Sequence, residues 1–531
     1  MGEENRPQKP NILRKKISRR KALSTAGKVA LGCVVTGVVA GVAGYYIGSA
    51  YAPTVTKTVR STVTAPAGTV TKTVTHTTTV THTATVSSAF TAPTYKVPPE
   101  PTTPIKLTFW KWQAIALTDK RIEEVVNMWN KEHPNVQIEF TVFPELSEPE
   151  FIAKVEKATQ AGRGPDIIHT SDCDAVTMAY NGDFAVIPDE IQALIKQYLE
   201  PPFDDIFFKT VLSLWGPDMV RRPYVFPGFR GASAKLGWVN EYHLKEIGYP
   251  TDWDPTDWDE LVDTAKKLTK YDTAGNLVRS GLFLRIGGHA GGIFDKFGPL
   301  FMSAGGRVLW AEGGKWHTDL DSDIARKTVQ LYLDVLYKYK IYQPGFPGDA
   351  TGFANEQCSM ILPREAPEVI PVCLKVKPEK FKGPEGPKGF HPYAVPPAEK
   401  GLPSKTWLDL HAIGVNAKSP PEKQRWAFHF LGWLLTNKEA RMKLYNEIGQ
   451  WMPYRDIINE KPFNLPMYKK LTELTKTGTS RLLHPLMAMI MYDGGKVLSR
   501  IFLKEIEVDK GLKELARVVL EHANKVPAPK A

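Results

Sequence analysis

Apolar residues are distributed in three regimes along this chain. Val29 to Tyr51 is an uncharged run of 23 residues, preceded by the basic cluster Arg14, Lys15, Lys16, Arg19, Arg20 and Lys21. A helix of that length rises about 34 Å, enough to cross a hydrocarbon core, and basic flanks stay on the cytoplasmic side. The pattern predicts a cytoplasmic basic segment over 1–28 and a transmembrane anchor or signal over 29–51, with the bulk of the chain outside. The stretch from Pro53 to Thr103 holds 19 threonines and little to bury. Such a tract does not offset its ordering entropy, so 52–103 is expected to be a disordered Thr-rich stalk, although Thr-Val alternation is also a strand pattern. From Ile105 the periodicity becomes that of a folded body. Ile105–Trp110 alternates as a strand, and Asp119–Lys131 sets Ile122, Val125, Val126 and Trp129 on one helical face. Val136–Val142 alternates again, Glu150–Ala161 reads as helix, and Asp166–Ile168 is a short apolar strand. Strands alternating with helices predict an α/β fold with a parallel sheet, whose functional residues gather at the C-terminal strand ends, here Trp110–Gln113 and Thr170–Asp174.

Charge changes the picture less than its total suggests. The net +11 belongs to the tail: residues 1–100 hold 13 Lys and Arg against 3 Glu, leaving 55 basic and 54 acidic residues in the rest. A nearly neutral body gives no reason to expect nucleic acid as a partner. About 430 residues remain for folding, two domains' worth. Cys173, Cys358 and Cys373 make no disulfide framework, though pairing of Cys358 with Cys373 stays open. No His or Cys accompanies them at zinc spacing, so neither metal nor cofactor is expected. Ser18–Leu23 is similar to a twin-arginine export signal, with Ala22 where Phe is usual; ordinary topogenic charge is the other reading. Pro53 after Ala50-Tyr51-Ala52 disfavours cleavage, so retention as an anchor is expected.

The body carries a series of motifs in register: LTFWKW, then WNKEHPNVQIEF, QAGRGPDIIHTSD and NGDFAVIPDEI; later Trp238-Val239-Asn240 with the Trp258-Asp259-Glu260-Leu261 helix, GPLFMSAGGRVL, GFANEQCSMIL, and the return segment from Leu402 to Ala440. Over roughly 104–460 these resemble the extracellular solute-binding proteins of family 1, the carbohydrate-type receptors of ABC importers. The resemblance implies a two-lobed periplasmic-binding-protein-like fold with hinge crossings near Tyr224–Arg230, Tyr393–Pro396 and Leu435–Ala440. It makes 104–226 plus 397–438 the N-lobe and 227–396 plus 439–525 the C-lobe. The expected partners are a small-molecule ligand, a carbohydrate by this likeness, the permease subunits of an ABC importer, and the membrane through the N-terminal run.

The same resemblance nominates site residues, because such receptors stack aromatic rings on sugar faces and read hydroxyls with charged and amide groups. Trp110 and Trp112 flank Lys111 at a strand end. Ser171 and Asp172 either contact ligand or merely cap a helix. Arg230 lies at the first crossing. His289 sits in Gly287–Gly292, which lacks a P-loop's Lys-Ser/Thr ending and reads as a cleft loop. Trp407 and Asp409 precede the returning strand, and Trp451 is open to a ligand or a core role. Where maltose-type members run to a small apolar residue and a stacking Trp, this chain has Pro363-Arg364-Glu365-Ala366. Arg364 and Glu365 read a polar ligand there, or form a solvated pair. On this reading replacement of Trp112 or Trp407 by Ala weakens binding without loss of apo stability.

Two other classes remain for comparison. A membrane-anchored glycoside hydrolase draws on the acids in Asp252–Asp254 and Asp257–Glu260, but those more simply open the helix from Trp258, and no HExxH, GxSxG or Walker sequence occurs. A purely structural surface protein rests on the stalk alone.

Overall fold

The computed structural model describes residues 59–65, 68–74, 90–112, 116–228, 233–445 and 451–529. The anchor run at 29–51 and the candidate residue Arg230 lie outside these; among the described residues no helix is long and apolar enough to cross a membrane. The chain up to Ala89 and the chain from Phe90 are separate compact units.

In the first unit β1 (Val59–Ala65) and β2 (Gly68–Val74) pair antiparallel, Val59 opposite Val74 and Ala65 opposite Gly68. The rest of 52–89 lies outside the described residues. Thr and Val are β-branched, and their period-two alternation suits a paired strand. The expected stalk ends earlier than residue 103. Phe90 lies edge-on to Tyr198 at 5.8 Å, the Tyr198 hydroxyl donates to the Pro93 carbonyl at 3.0 Å, and the Asn135 amide donates to Glu100 at 2.9 Å.

The second unit begins β3 (Ile105–Trp112), α1 (Ala116–Glu132), β4 (Val136–Phe143), α2 (Glu148–Gln160), β5 (Ile167–Ser171), α3 (Asp172–Tyr180) and α4 (Asp189–Tyr198). It continues through β6 (Val225–Pro227), β7 (Ser233–Asn240), α5 (Trp258–Leu268), β8 (Phe283–Leu284), α6 (Ala290–Ser303), β9 (Met360–Glu365), β10 (Phe390–Tyr393), β11 (Thr406–Asp409) and β12 (His411–Val415). Last come α7 (Pro421–Thr436), α8 (Lys438–Tyr445), α9 (Pro466–Thr475), β13 (Gly478–Ser480), α10 (Met487–Phe502) and α11 (Val508–Ala523), with shorter elements between.

Two sheets organise these elements into two lobes. The N-lobe sheet has the order β4-β3-β5-β12-β6, with β3 parallel to β4 and β5, and β12 antiparallel to both β5 and β6. The C-lobe sheet has the order β8-β9-β7-β11-β13, with β10 also paired to β7. All eight residues of β7 are buried, as befits a central strand covered on both faces. The expected face of α1 is the observed one: Ile122, Val125, Val126 and Trp129 are buried, and Trp129 Nε1 donates to the Val136 carbonyl at 2.8 Å.

The chain passes from the N-lobe sheet to the C-lobe sheet between Pro227 and Ser233. At Gly228 a Cβ would sit 1.4 Å from the His411 carbonyl oxygen, so only glycine lets the two passing chains approach this closely. The return passage is at Leu410, between β11 and β12, later than Tyr393–Pro396, because β11 still pairs with β7 and β13. The third passage is also later than Leu435–Ala440. α8 packs on α1, Tyr454 bridges Leu199, and only α9 reaches β7 and β10.

Candidate functional site

Seven charged side chains occupy the junction of the lobes, all buried: Asp172, Lys235, Asp295, Lys296, Glu365, Asp409 and Arg481. Strand register brings most of them together. Lys235 on β7 lies opposite Glu365 on β9. Asp409 lies opposite Ser233, two residues from Lys235 and therefore on the same face of the sheet. Arg481 follows Ser480, whose partner is Leu408, the residue before Asp409. From α6, Asp295 and Lys296 point into the same space, and Asp172 enters from the first turn of α3 in the other lobe.

The ion pairs form one continuous network. The Lys235 ammonium lies 2.8 Å from Asp295, 2.5 Å from Glu365 and 3.2 Å from Asp409. Lys296 reaches Asp295 at 2.9 Å and Glu365 at 2.5 Å. Arg481 donates to Asp172 at 3.1 Å, to Asp295 at 2.7 Å and to Asp409 at 2.7 Å. Burial alone would lower the Lys235 ammonium, but Asp295, Asp409 and Glu365 together overcome it and hold it above the ordinary lysine range. Burial likewise opposes the Asp295 carboxylate, and Lys235, Lys296 and Arg481 overcome that in turn, keeping it below the usual value. Asp172 is the exception. Its burial outweighs Arg481, with Asp409 adding repulsion, and its pKa is pushed up to about 6. Four carboxyls thus face three cations, and one of the four is contributed by the opposite lobe.

On the N-lobe side, Trp112 is part-buried and stacks toward His411 with centroids 6.2 Å apart; His411 lies 5.4 Å from His169. Ser171 caps α3, accepting from the Asp174 amide at 3.2 Å, so its capping reading is realised. Beside it burial, and then Asp174, raise the Glu148 carboxyl well above the usual range. His289 is exposed and caps α6, accepting from the Gly292 amide at 3.2 Å; the glycine run is thus a helix start as well as a loop.

Several nominated residues stand elsewhere. Trp110 lies edge-on to Phe143 at 5.0 Å, with Lys154 over its ring. Trp407 is 0% exposed beneath α6, stacked 6.3 Å from Phe294, and a Cβ on Gly298 would meet its ring at 2.2 Å. That corrects its nomination as a ligand-binding residue, because no part of the ring is exposed. Trp451 is likewise a core residue, edge-on to Phe203 at 5.8 Å. Arg364 and Glu365 are not a solvated pair. Arg364 is tied to Asp349 at 2.7 Å and to Glu368 at 2.5 Å, while Glu365 is in the buried network.

Two of the carboxylates that suggested a hydrolase have other partners. Asp257 caps α5 by accepting from the Glu260 amide at 2.8 Å, and Asp254 pairs with Lys470 at 2.8 Å. Cys173, Cys358 and Cys373 are buried free thiols, so Cys358 and Cys373 do not pair. Among the described residues no group of three or more His, Cys, Asp or Glu is arranged to hold a metal ion.

Lys235, Asp295, Lys296 and Arg481 escaped the sequence reading. The available signal was a charge inside an apolar run, as in SAKLGWVN and IFDKFGPLF, where a solvated position is not to be expected.

Comparison with known proteins places this geometry. Residues 111–441 match the model of the bacterial extracellular solute-binding protein family. An ABC transporter solute-binding protein of Thermotoga lettingae, bound to α-D-tagatose, is 21% identical, covers 78% of this chain and 99% of its own, and has a TM-score of 0.62. Maltose-bound MalE3 of T. maritima is 18% identical over 79% of this chain and 99% of its own, with a TM-score of 0.63. An uncharacterized lipoprotein in the oleD 5' region of Streptomyces antibioticus is 24% identical over 173 residues, 31% of this chain. The chain spans about a third of that relative, 34% of its length. Two α/β lobes joined by crossing strands and a family match over most of the body agree: the chain belongs to the bacterial extracellular solute-binding proteins.

Proposed function

We propose that this protein captures a sugar or oligosaccharide outside the cell by closing its two lobes and delivers it to the permease of an ABC importer, held at the membrane by its N-terminal run. The observation that carries the reading is the lobe junction itself, where Asp172, next to Ser171 at the end of an N-lobe strand, meets Arg481 of the C-lobe. The T. lettingae and T. maritima proteins bind α-D-tagatose and maltose, and an Agrobacterium radiobacter relative of the same fold binds ribitol, which supports a polyhydroxylated ligand here. The lipoprotein relative supports membrane tethering. In this reading Trp112 offers an apolar ring face, while Ser171, His289 and Arg230 supply hydrogen-bonding groups. Closure buries the ligand between preformed surfaces, so affinity includes the open-to-closed equilibrium. The family is one of binding proteins, and the hydrolase alternative gains no support.

A thermal-shift screen against sugars, polyols, organic acids and peptides tests the reading. A ligand at 100 times its dissociation constant adds about 2.7 kcal/mol, and no turnover of it is expected. Stabilisation by peptides or organic acids alone would overturn the sugar assignment.

A further inference from the structure

Arg481 stands where the two lobes touch. Its guanidinium reaches Asp172 on α3 of the N-lobe and, on the C-lobe, Asp295 of α6 and Asp409 of β11. The surrounding contact is tight: Cys173 Sγ lies 3.5 Å from Met491 Sδ on α10, and the Thr177 hydroxyl donates to the Pro485 carbonyl at 2.7 Å. We propose that Arg481 is a positioning residue of solute capture, whose bond to Asp172 latches the N-lobe to the C-lobe carboxylates and stabilises the closed arrangement before any ligand arrives. The proposal rests on the capture reading and adds to it which residues set the lobe equilibrium.

The asymmetry of the network supports this. Lys235 and Lys296 find all their carboxylate partners within the C-lobe, so they brace that lobe whatever its neighbour does. Arg481 alone among the three cations has a partner across the junction. The planar fork reaches three carboxylates at once only when α3 lies against β13 and α6, because guanidinium donors are fixed in direction. Separation of the lobes moves α3 away from Arg481, which keeps Asp295 and Asp409, and returns Asp172 to water. The latch therefore contributes to one lobe arrangement and not to the other, which is the condition for shifting a population.

The test is a donor–acceptor distance in the ligand-free, full-length chain, with labels on cysteines introduced at the exposed positions Lys157 and Lys315; the native cysteines of the body are buried. Asp172→Asn keeps the shape and a hydrogen-bond acceptor but removes the charge. Because burial disfavours the charged form of Asp172, this variant is expected to shift the open-to-closed ratio less than Arg481→Gln, which removes the guanidinium shared by both lobes and is expected to raise the ratio at least tenfold. Lys296→Met, which disturbs the network inside one lobe, is expected to lower the melting temperature without moving the distance distribution. An unchanged distribution for Arg481→Gln, or an equal shift for Lys296→Met, would overturn the latch. If the wild-type distance never changes with any solute that stabilises the protein, lobe closure itself is refuted, and the latch falls with it.

Discussion

Lys235 and Glu365 stand opposite one another on adjacent antiparallel strands, ammonium 2.5 Å from carboxylate, both buried at the lobe junction. Glu365 also holds Lys296 at 2.5 Å, so one carboxylate serves two buried cations. Removing it leaves Lys235 with Asp295 and Asp409, and Lys296 with Asp295 alone. Glu365→Ala is accordingly expected to destabilise the ligand-free protein by about 3–5 kcal/mol. Urea denaturation checks this. A loss of ligand affinity with the midpoint unmoved would return Glu365 to the role of a free ligand contact.

The two tryptophans once expected to behave alike are expected to separate. Trp407 fills the space between Phe294 and Gly298, so Trp407→Ala opens a cavity and costs about 3–5 kcal/mol of apo stability. Trp112 is part-buried at a strand end. Trp112→Ala is expected to cost about 1 kcal/mol or less while weakening sugar binding. Paired melting and titration measurements on both variants separate the roles; comparable losses of apo stability would place Trp112 in the core as well.

What was legible in the sequence was what depends on local periodicity. The face of α1 and the strands β3, β4 and β5 were readable because their apolar spacing matches one element packing on one sheet. The strand β11 was not placed, since all four of its residues are buried and no alternation distinguishes its faces. The helix α6 was missed because its glycines imitate a loop, although His289 supplies a cap and Ile293, Phe294, Phe297 and Leu300 carry the helical period. The ion network was illegible for a deeper reason. Arg481 and Asp172 are 309 residues apart, and only the return of the chain through both lobes brings them together.

His391 gives the C-lobe a pH dependence of definite sign. Burial opposes its protonation, but Asp254 and Glu241, each 3.3 Å away, outweigh that and raise its pKa above the ordinary value, with Lys470 opposing. A raised folded pKa means the folded state binds the proton more tightly. The stabilisation is then fully present below the unfolded histidine value of about 6.5 and lost as pH rises through the folded one. His391→Gln is therefore expected to destabilise more at pH 5.5 than at pH 9. Melting curves at both values decide it, and an equal loss at both would mean His391 acts only through its hydrogen bond to the Trp253 carbonyl.

The segment from Phe90 to Pro101 behaves as a strap on the N-lobe rather than as the end of a stalk. Phe90 rests on Tyr198, the Tyr95 hydroxyl meets His429 Nδ1, and Glu100 pairs with His133 at 3.2 Å. Tyr95 also lies over Gly432, where a Cβ would come within 2.5 Å of its ring, so the two positions depend on one another. A chain beginning at Pro104 should then be less stable than one beginning at Phe90 by about 2 kcal/mol or more, the burial of one aromatic side chain setting the scale. Gly432→Leu should reproduce most of that loss in the longer chain by displacing Tyr95. In the shorter chain it should cost less, since only the tip of Ile191, 2.9 Å from that Cβ, remains to be displaced. A double-mutant cycle on denaturation midpoints isolates the coupling. Additive effects would show that the strap and the α7 surface do not hold one another, and that the tether is free from residue 104 backwards.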